Sequence, residues 1–453
     1  MRLFFILWIL WAVSSPLAVF SKEKPNVLLI SIDDLNDWIG CLGGHPDAKT
    51  PNIDRLAKRG VLFTNAHCQG PICNPSRTSF MYGLRPSTTG FYDNSPKGAN
   101  HPSLKNRVSM PRHFAANGYL TMTAGKIYHA SSLPKGDFDV IGPRPGQANK
   151  KDKPLAKSPS PTKLWDWGPQ TFEEELFNDY IVSSWMIEQL EKEHEQPVFM
   201  ALGLYRPHVP MFAPSRFFED GMNTLPAVKA DDRSDLPTGA FPFLDRNTPP
   251  PHSWMAANDN RHWKDAVQAY LACVHWADEQ VGRVLDALEA GPNADNTIVV
   301  LFSDHGFHLG EKQTWAKWTL WERSTRVPMI ITAPGMEAAR CSRSTELLSI
   351  YPTVSELCGL PARGDLDGVS LVPLLKNPEK EWPHVAITSH LGDNHAVRDE
   401  RWRYIRYADG SEELYDHDSD PNEWMNLADE KENAEVIGRL RALIPGECAK
   451  QVR

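Results

Sequence analysis

At 453 residues, 41% hydrophobic and 23% charged, the chain has the makeup of an ordinary globular protein, long enough for one large domain and a smaller one. Its net charge of −9, with no block of like charges, excludes the basic face that a nucleic-acid partner needs and leaves no charged interaction tail. The N-terminus, Met1-Arg2 followed by an apolar run from Leu3 to Val13 and small residues from Ser14 to Ser21, reads as a secretory signal over residues 1–21. That run is too short to span a bilayer comfortably and nothing later spans at all, so a protein beginning near Lys22 is expected in the periplasm or beyond, with no membrane span after signal removal.

Val27 to Ile32 is an apolar run of buried-strand length that ends in Asp33-Asp34. Thr50-Pro51-Asn52 opens a helix, with Thr50 as N-cap and Pro51 in the first turn, closing at Gly60. A second strand, Tyr119 to Ala124, runs into Gly125-Lys126-Ile127-Tyr128-His129; a third, Pro197 to Leu204, runs into Arg206-Pro207-His208. A fourth, Thr297 to Phe302, runs into Ser303-Asp304-His305-Gly306. Each polar cluster follows a strand's C-terminal end, where open parallel α/β sheets bind ligands. Helical periodicity over Asp179–His194, Trp263–Ala290 and Thr345–Cys358 supplies the covering layers, so the fold class is α/β, a mostly parallel sheet between helices. Residues 131–172 and 224–261 are Pro-rich and loop-like, and long ordered loops tend to shape a binding rim. From 368 onward, short strands Val385–Ser389, Trp402–Tyr407 and Glu413–Asp416 and a helix near Glu430–Leu443 indicate a small antiparallel subdomain, dividing the chain at 22–367 and 368–453.

Asp33, Asp34 and Asp304 are carboxylates at strand ends, and gathering them is costly unless a cation neutralises them. Taken singly each is as readily a turn or cap residue. With Cys73 and His305 they form a candidate metal set, and its oxygen-dominated ligation suits a hard ion such as Ca²⁺, while the imidazole also suits Mn²⁺ or Zn²⁺. Cys73 opens Cys73-Asn74-Pro75-Ser76-Arg77, followed by Gly83 and Arg85. Pro75 to Tyr82 reads as a helix start whose free N–H groups favour an anion there.

The C-x-P-S-R pentapeptide with its downstream G-x-R resembles the signature of the type I sulfatases, of the alkaline-phosphatase-like superfamily. S-I-D-D-L at 31–35, G-K-x-x-H, R-P-H-V-P at 206–210, S-D-H-G and W-A-K resemble the iduronate-2-sulfatase-like branch, and the late E-L-Y-D run resembles the small C-terminal subdomain of sulfatases. Many sulfatases carry Asn at the position of His305, and the His form occurs also in phosphonate and phosphodiester hydrolases of this fold. The resemblance implies that a formylglycine-generating enzyme converts Cys73 to formylglycine (3-oxoalanine). Its hydrate then attacks sulfur in a sulfate ester beside one Ca²⁺ held by Asp33, Asp34, residue 73, Asp304 and His305.

The resemblance also implies that Arg77 braces the site, Lys126 and His129 hold the hydrate and take its proton, and His208 and Lys317 grip sulfate and protonate the leaving oxygen. Taken one at a time, such a Lys or His is most often a surface charge or a structural residue. The substrate implied is a carbohydrate sulfate. His395 and Arg398 are candidate contacts to it, and Trp165, Trp167, Trp254 and Trp318 are candidate sugar-stacking residues against a bland reading as packing. The alternatives are a phosphonate or phosphodiester hydrolase and a non-catalytic glycan-binding relative. Removing Cys73 leaves Cys41, Cys68, Cys273, Cys341, Cys358 and Cys448, whose pairing the sequence leaves open.

Overall fold

A computed structural model describes residues 24–95, 101–129, 133–146, 155–244 and 248–452. The expected signal segment lies outside these residues. Among them, a nine-stranded sheet forms the centre. Asn26–Ile32 lies in its middle, parallel to Thr297–Ser303 on one side and Val198–Leu204 on the other. Leu120–Gly125 continues the parallel array beyond Val198–Leu204, and Val140–Ile141 ends it. On the opposite flank Arg326–Thr332 enters antiparallel between Thr297–Ser303 and Val61–His67, with Ala339–Cys341 and Thr345–Glu346 parallel to the latter. The sheet is therefore mixed but mostly parallel.

The central strands are buried on both faces, which is why they read as unbroken apolar runs. Leu28, Ile30 and Ile32 point into a layer with Val267, Leu271 and Val274 of the helix Ala257–Ala290 and Val182 and Met186 of Asn178–Leu190. Val27 and Leu29 point the other way, toward Phe80 and Met81 of Cys73–Tyr82, Phe114 of Met110–Ala116 and Val354 of Ile350–Leu357. Register aligns the strand ends: Ile32 lies beside Leu204 and Ser303, and Gly125 beside Gly203. The clusters following those strands consequently emerge at one edge.

The structure differs from the sequence reading at several elements. Thr345–Cys358 is not one helix: Thr345–Glu346 pairs in the sheet, and the helix begins only at Ile350, once the chain has left the edge strand. Thr50 does not cap its helix through its side chain; its hydroxyl accepts from the Gly40 N–H and donates to Asp54, and the helix ends at Ala57. The 131–172 loop contributes the strands Val140–Ile141 and Trp167–Gln170. The Trp263–Ala290 helix is preceded by a kink at Asn258, Asp259 and Asn260, all left-handed, which joins it to Ala257.

Beyond 368, the strands Ala386–His390, Asn394–Arg398, Trp402–Arg406 and Glu412–Asp416 form an antiparallel meander. Ile437 and Leu440 of the helix Ala434–Arg441 pack on Val397, Tyr404 and Leu414. The tail then returns to the large domain, where Ala449 N–H donates to Ser87 O (2.7 Å) and Val452 N–H to Gly90 O (2.9 Å).

Gly125 ends its strand with φ +74°, and a Cβ there would lie 2.0 Å from the Gly203 carbonyl oxygen. Left-handed strain and overlap with rigid backbone add, so Gly125→Ala is expected to cost about 3 kcal/mol. A denaturant melt reads this directly, and an unshifted midpoint would show that the two strand ends can part freely.

Candidate active site

Cys73 opens a ten-residue helix, Cys73–Tyr82, whose every residue is buried. Gly83 closes it with φ +66°, the left-handed cap that favours glycine. Two residues on, Arg85 forks onto the carboxylate of Glu346. The G-x-R part of the motif thus fixes the helix rather than touching the reacting group.

Arg77, one turn after Cys73, has its side chain fully buried. Its Nη2 donates to Asp33 (3.0 Å), its Nε to Asp304 (2.9 Å), and Nη1 to the carbonyls of Lys126 and Ile127. One guanidinium therefore ties together three strand ends. Burial opposes its charge, but Asp304 and Asp33 raise its pKa further above the ordinary arginine value.

The Cys73 sulfur lies 3.3 Å from Lys317 Nζ, 3.4 Å from His305 Nε2, 3.7 Å from Lys126 Nζ and 3.8 Å from Asp33 Oδ1. His129 hydrogen-bonds it as well. Burial by itself would push the thiol up; Lys126, Lys317, His305 and the His129 bond outweigh it and hold the group well below the usual cysteine range. Lys317 Nζ also donates to Asp34 (2.5 Å), and Lys126 pairs with Asp33. Asp33 is held below the usual carboxylate range by Lys126, His208 and Arg77 against its burial, whereas burial pushes Asp304 up to about 6.

Three features fit this cluster to a cation. Ligand atoms of Asp33, Asp34, Cys73 and His305 all lie within 4.8 Å of one another, and Asp304 Oδ2 is 3.4 Å from His305 Nε2. The His305 Nδ1–H donates to the Gly306 carbonyl (3.0 Å), which turns Nε2 toward the carboxylates as the nitrogen able to give its lone pair to an ion that displaces its proton. Asp34 Oδ2 is buried with no hydrogen-bond partner among the described residues, and His208 Nε2 lies 3.9 Å from it. A buried orphan carboxylate oxygen is costly unless something fills the space before it.

Asp34 itself has φ +65°, unusual for a residue with a side chain. Its N–H donates to Asp304 Oδ1 (3.2 Å), and its carbonyl accepts from the Tyr270 hydroxyl (2.8 Å), which in turn accepts from the Asn36 N–H (2.9 Å). Tyr270 sits on the long helix with its ring stacked on Phe307. Asp179 does the equivalent for His208, accepting from the backbone N–H groups of Tyr205 (2.6 Å) and Arg206 (3.2 Å). Sequence reasoning missed both supports because a tyrosine and an aspartate within helical periodicity carry no local mark of a partner far away in the chain.

The matching family model, "Sulfatase", covers residues 25–360, and "N-sulphoglucosamine sulphohydrolase, C-terminal" covers 310–448. A sulfatase of Formosa agariphila is 40% identical over 93% of this chain and 87% of its own length. The chain belongs to the sulfatase family. This sulfatase is also 30% identical to human iduronate 2-sulfatase, over 82% of its own length and 72% of that protein's. Its fold matches the phosphonate monoester hydrolase of Agrobacterium radiobacter with a TM-score of 0.78 at 23% identity, covering 93% and 95% of the two chains. It is a sulfuric ester hydrolase.

Within this sulfatase, Asp33, Asp34, Cys73, Arg77, Lys126, His129, His208, Asp304, His305 and Lys317 converge at one place. His395 and Arg398 do not join them. Arg398 Nε donates to Glu322 (3.2 Å) and its Nη1 to the Asp399 carbonyl (2.5 Å), so the cation offered for substrate is spent inside the protein. His395 lies between Ser389 and Cys448. Trp165 and Trp167 are core residues, Trp165 stacking on Phe307, which removes both as sugar platforms. Trp254 stacks on His262, while Trp318 sits half-buried beside Lys317. All seven cysteines are unpaired.

Proposed function

We propose that this sulfatase is an exported enzyme that removes O-sulfate from a carbohydrate in the manner of an iduronate-2-sulfatase, using Cys73 matured to formylglycine and one Ca²⁺. The observation that carries the reading is the ring of Lys317, His305, Lys126 and His129 around the Cys73 sulfur, which stands where the matured residue's oxygens would lie. Asp33, Asp34, Asp304, His305 and residue 73 would hold the cation, whose positive charge favours an ionised hydroxyl at residue 73 and offsets the charge of a bound sulfate. Hydrated formylglycine supplies one hydroxyl to displace the alcohol and a second whose proton must leave before sulfate does.

The remaining roles follow from position. Lys317, against both Asp34 and the sulfur, meets the negative charge that spreads over the sulfate oxygens during transfer and, with His208, delivers a proton to the departing alcohol. His129, bonded to residue 73 and holding a buried Nδ1 with no partner among the described residues, takes the second hydroxyl's proton. Lys126 keeps Asp33 ionised and faces the same atom.

Mass spectrometry of active protein tests the maturation: the peptide carrying position 73 is expected about 18 Da lighter than its cysteine form. Full turnover with an unaltered thiol would refute the reading. A panel of sulfated oligosaccharides, run beside a phosphonate and a phosphodiester, assigns the substrate; faster phosphonate turnover would transfer the function to the neighbouring hydrolase class.

Tyr270→Phe removes only the hydroxyl that holds the Asp34 backbone. Outer-layer partners of metal ligands are typically worth about 10–100-fold in affinity, so calcium titration calorimetry should show a loss of about tenfold with the fold intact. An unchanged Kd would place the control of Asp34 in Asp304 alone.

A further inference from the structure

His395 was a candidate substrate contact, yet it lies in a different cluster. Asp393, His395 and Cys448 offer one carboxylate oxygen, one imidazole nitrogen and one sulfur, all within 4.8 Å of one another. They come from two distant parts of the chain: Asp393 and His395 sit at the turn into the strand Asn394–Arg398, and Cys448 lies in the C-terminal tail. Together with Arg406, Tyr407 and the tail residues Ile444 to Gly446 they line a cleft. We propose that this cleft is a second metal site, separate from the sulfate-ester centre, in which Asp393, His395 Nε2 and Cys448 Sγ take a borderline-soft divalent ion of the Zn²⁺ type.

Geometry and donor chemistry carry the assignment. His395 Nε2 and Cys448 Sγ are 3.7 Å apart. Zinc–nitrogen bonds of about 2.1 Å and zinc–sulfur bonds of about 2.3 Å at a tetrahedral angle put the two donors roughly 3.6 Å apart, so an ion fits between them without moving either. The other ring nitrogen, Nδ1, is 2.9 Å from the Ser389 hydroxyl, which can accept its N–H and orient the ring with Nε2 toward Cys448. His395 is buried, Cys448 half-buried and Asp393 exposed, which leaves the ion an entry path and a fourth position for water. A mixed thiolate, imidazole and carboxylate set selects zinc over calcium or magnesium. Arg406 also lines the cleft and its charge opposes a cation there, while the Asp393 carboxylate and the Cys448 thiolate together match the ion's two positive charges.

Binding converts the Cys448 thiol to a thiolate and releases its proton to solvent, with no change of oxidation state. The consequence is mechanical. Cys448 begins the tail that pairs with Ser87 and Gly90; the Tyr92 hydroxyl donates to Ala449 O (3.1 Å) and Gln451 donates to Asp93 (2.7 Å). Asn94, next in line, accepts from the N–H of Asn74 beside Cys73 (2.9 Å). An ion at this cleft would clamp the tail to the small sheet, and through the tail the segment that backs the Cys73 helix.

The test uses full-length protein stripped with chelator and loaded with Zn²⁺ or Co²⁺. Wild type is expected to retain one more equivalent of zinc than either Cys448→Ser or Asp393→Asn, and to release a proton as that equivalent binds. With Co²⁺, a thiolate-to-metal charge-transfer band should persist in Cys73→Ala and vanish in Cys448→Ser, which separates the cleft from the sulfate-ester centre. Zinc should raise the melting temperature of wild type more than that of Cys448→Ser. Equal zinc content in wild type and both variants, or a cobalt band that follows Cys73 and not Cys448, overturns the proposal.

Discussion

Arg77→Ala is expected to destabilise this sulfatase by about 3–5 kcal/mol and to abolish turnover, because it leaves the buried carboxylates of Asp33 and Asp304 without the guanidinium they share. The lost charge is only part of the effect. Arg77 also donates to the carbonyls of Lys126 and Ile127, so its removal frees the strand end that carries Lys126 and His129. Arg77→Lys keeps the charge but not the fork, and should recover little, since one ammonium cannot reach both carboxylates and both carbonyls at once. Denaturant unfolding and steady-state turnover measure the two effects. A cost below about 1 kcal/mol would mean that a bound cation alone neutralises the acidic cluster.

The second large effect separates the two halves of the reaction. Lys317→Ala removes the cation closest to the Cys73 sulfur and the partner of Asp34, and should slow alcohol release by about 10²–10⁴-fold. The loss should be greatest for poor leaving groups such as sugar hydroxyls and least for activated aryl sulfates that need little protonation. His208→Ala should follow the same leaving-group trend. His129→Ala should instead leave the first alcohol release fast and slow the release of sulfate, giving a burst of one equivalent of alcohol and then near arrest. Rapid-quench measurements of both products decide the matter: equal losses in all three variants, independent of leaving group, would show that these side chains position one another rather than divide the proton transfers.

The chemistry of this chain was legible in its sequence because each reactive residue is adjacent to an element boundary that the sequence marks. Asp33-Asp34, Lys126, His208 and Asp304-His305 each follow an apolar run, and a run buried on both faces has no choice but to end where its apolar residues stop. Cys73 and Arg77 lie one turn apart on a helix that carries Pro75 in its first turn and that Gly83 ends. These are local signals. The strands Val61–His67 and Arg326–Thr332, seven residues each, escaped notice because Thr64-Asn65 breaks the apolar run of the first and Pro328 that of the second, and the five-residue Asn394–Arg398 carries polar residues at both ends.

What the sequence by itself determined was the family of chemistry: which residues could ligate, donate and attack, and that they lay at strand ends. Only the tertiary structure decided which of them meet. Register places Ile32, Leu204 and Ser303 side by side and so brings Asp33, His208 and Asp304 to one edge, a relation between distant segments that no local pattern encodes. The same folding turned Arg398 inward onto Glu322 and carried His395 to Cys448, because the meander and the returning tail set the neighbours of both side chains. Tyr270 and Asp179 gained their roles in the same way, from helices that pack across the sheet and deliver a hydroxyl to Asp34 and a carboxylate to the His208 loop.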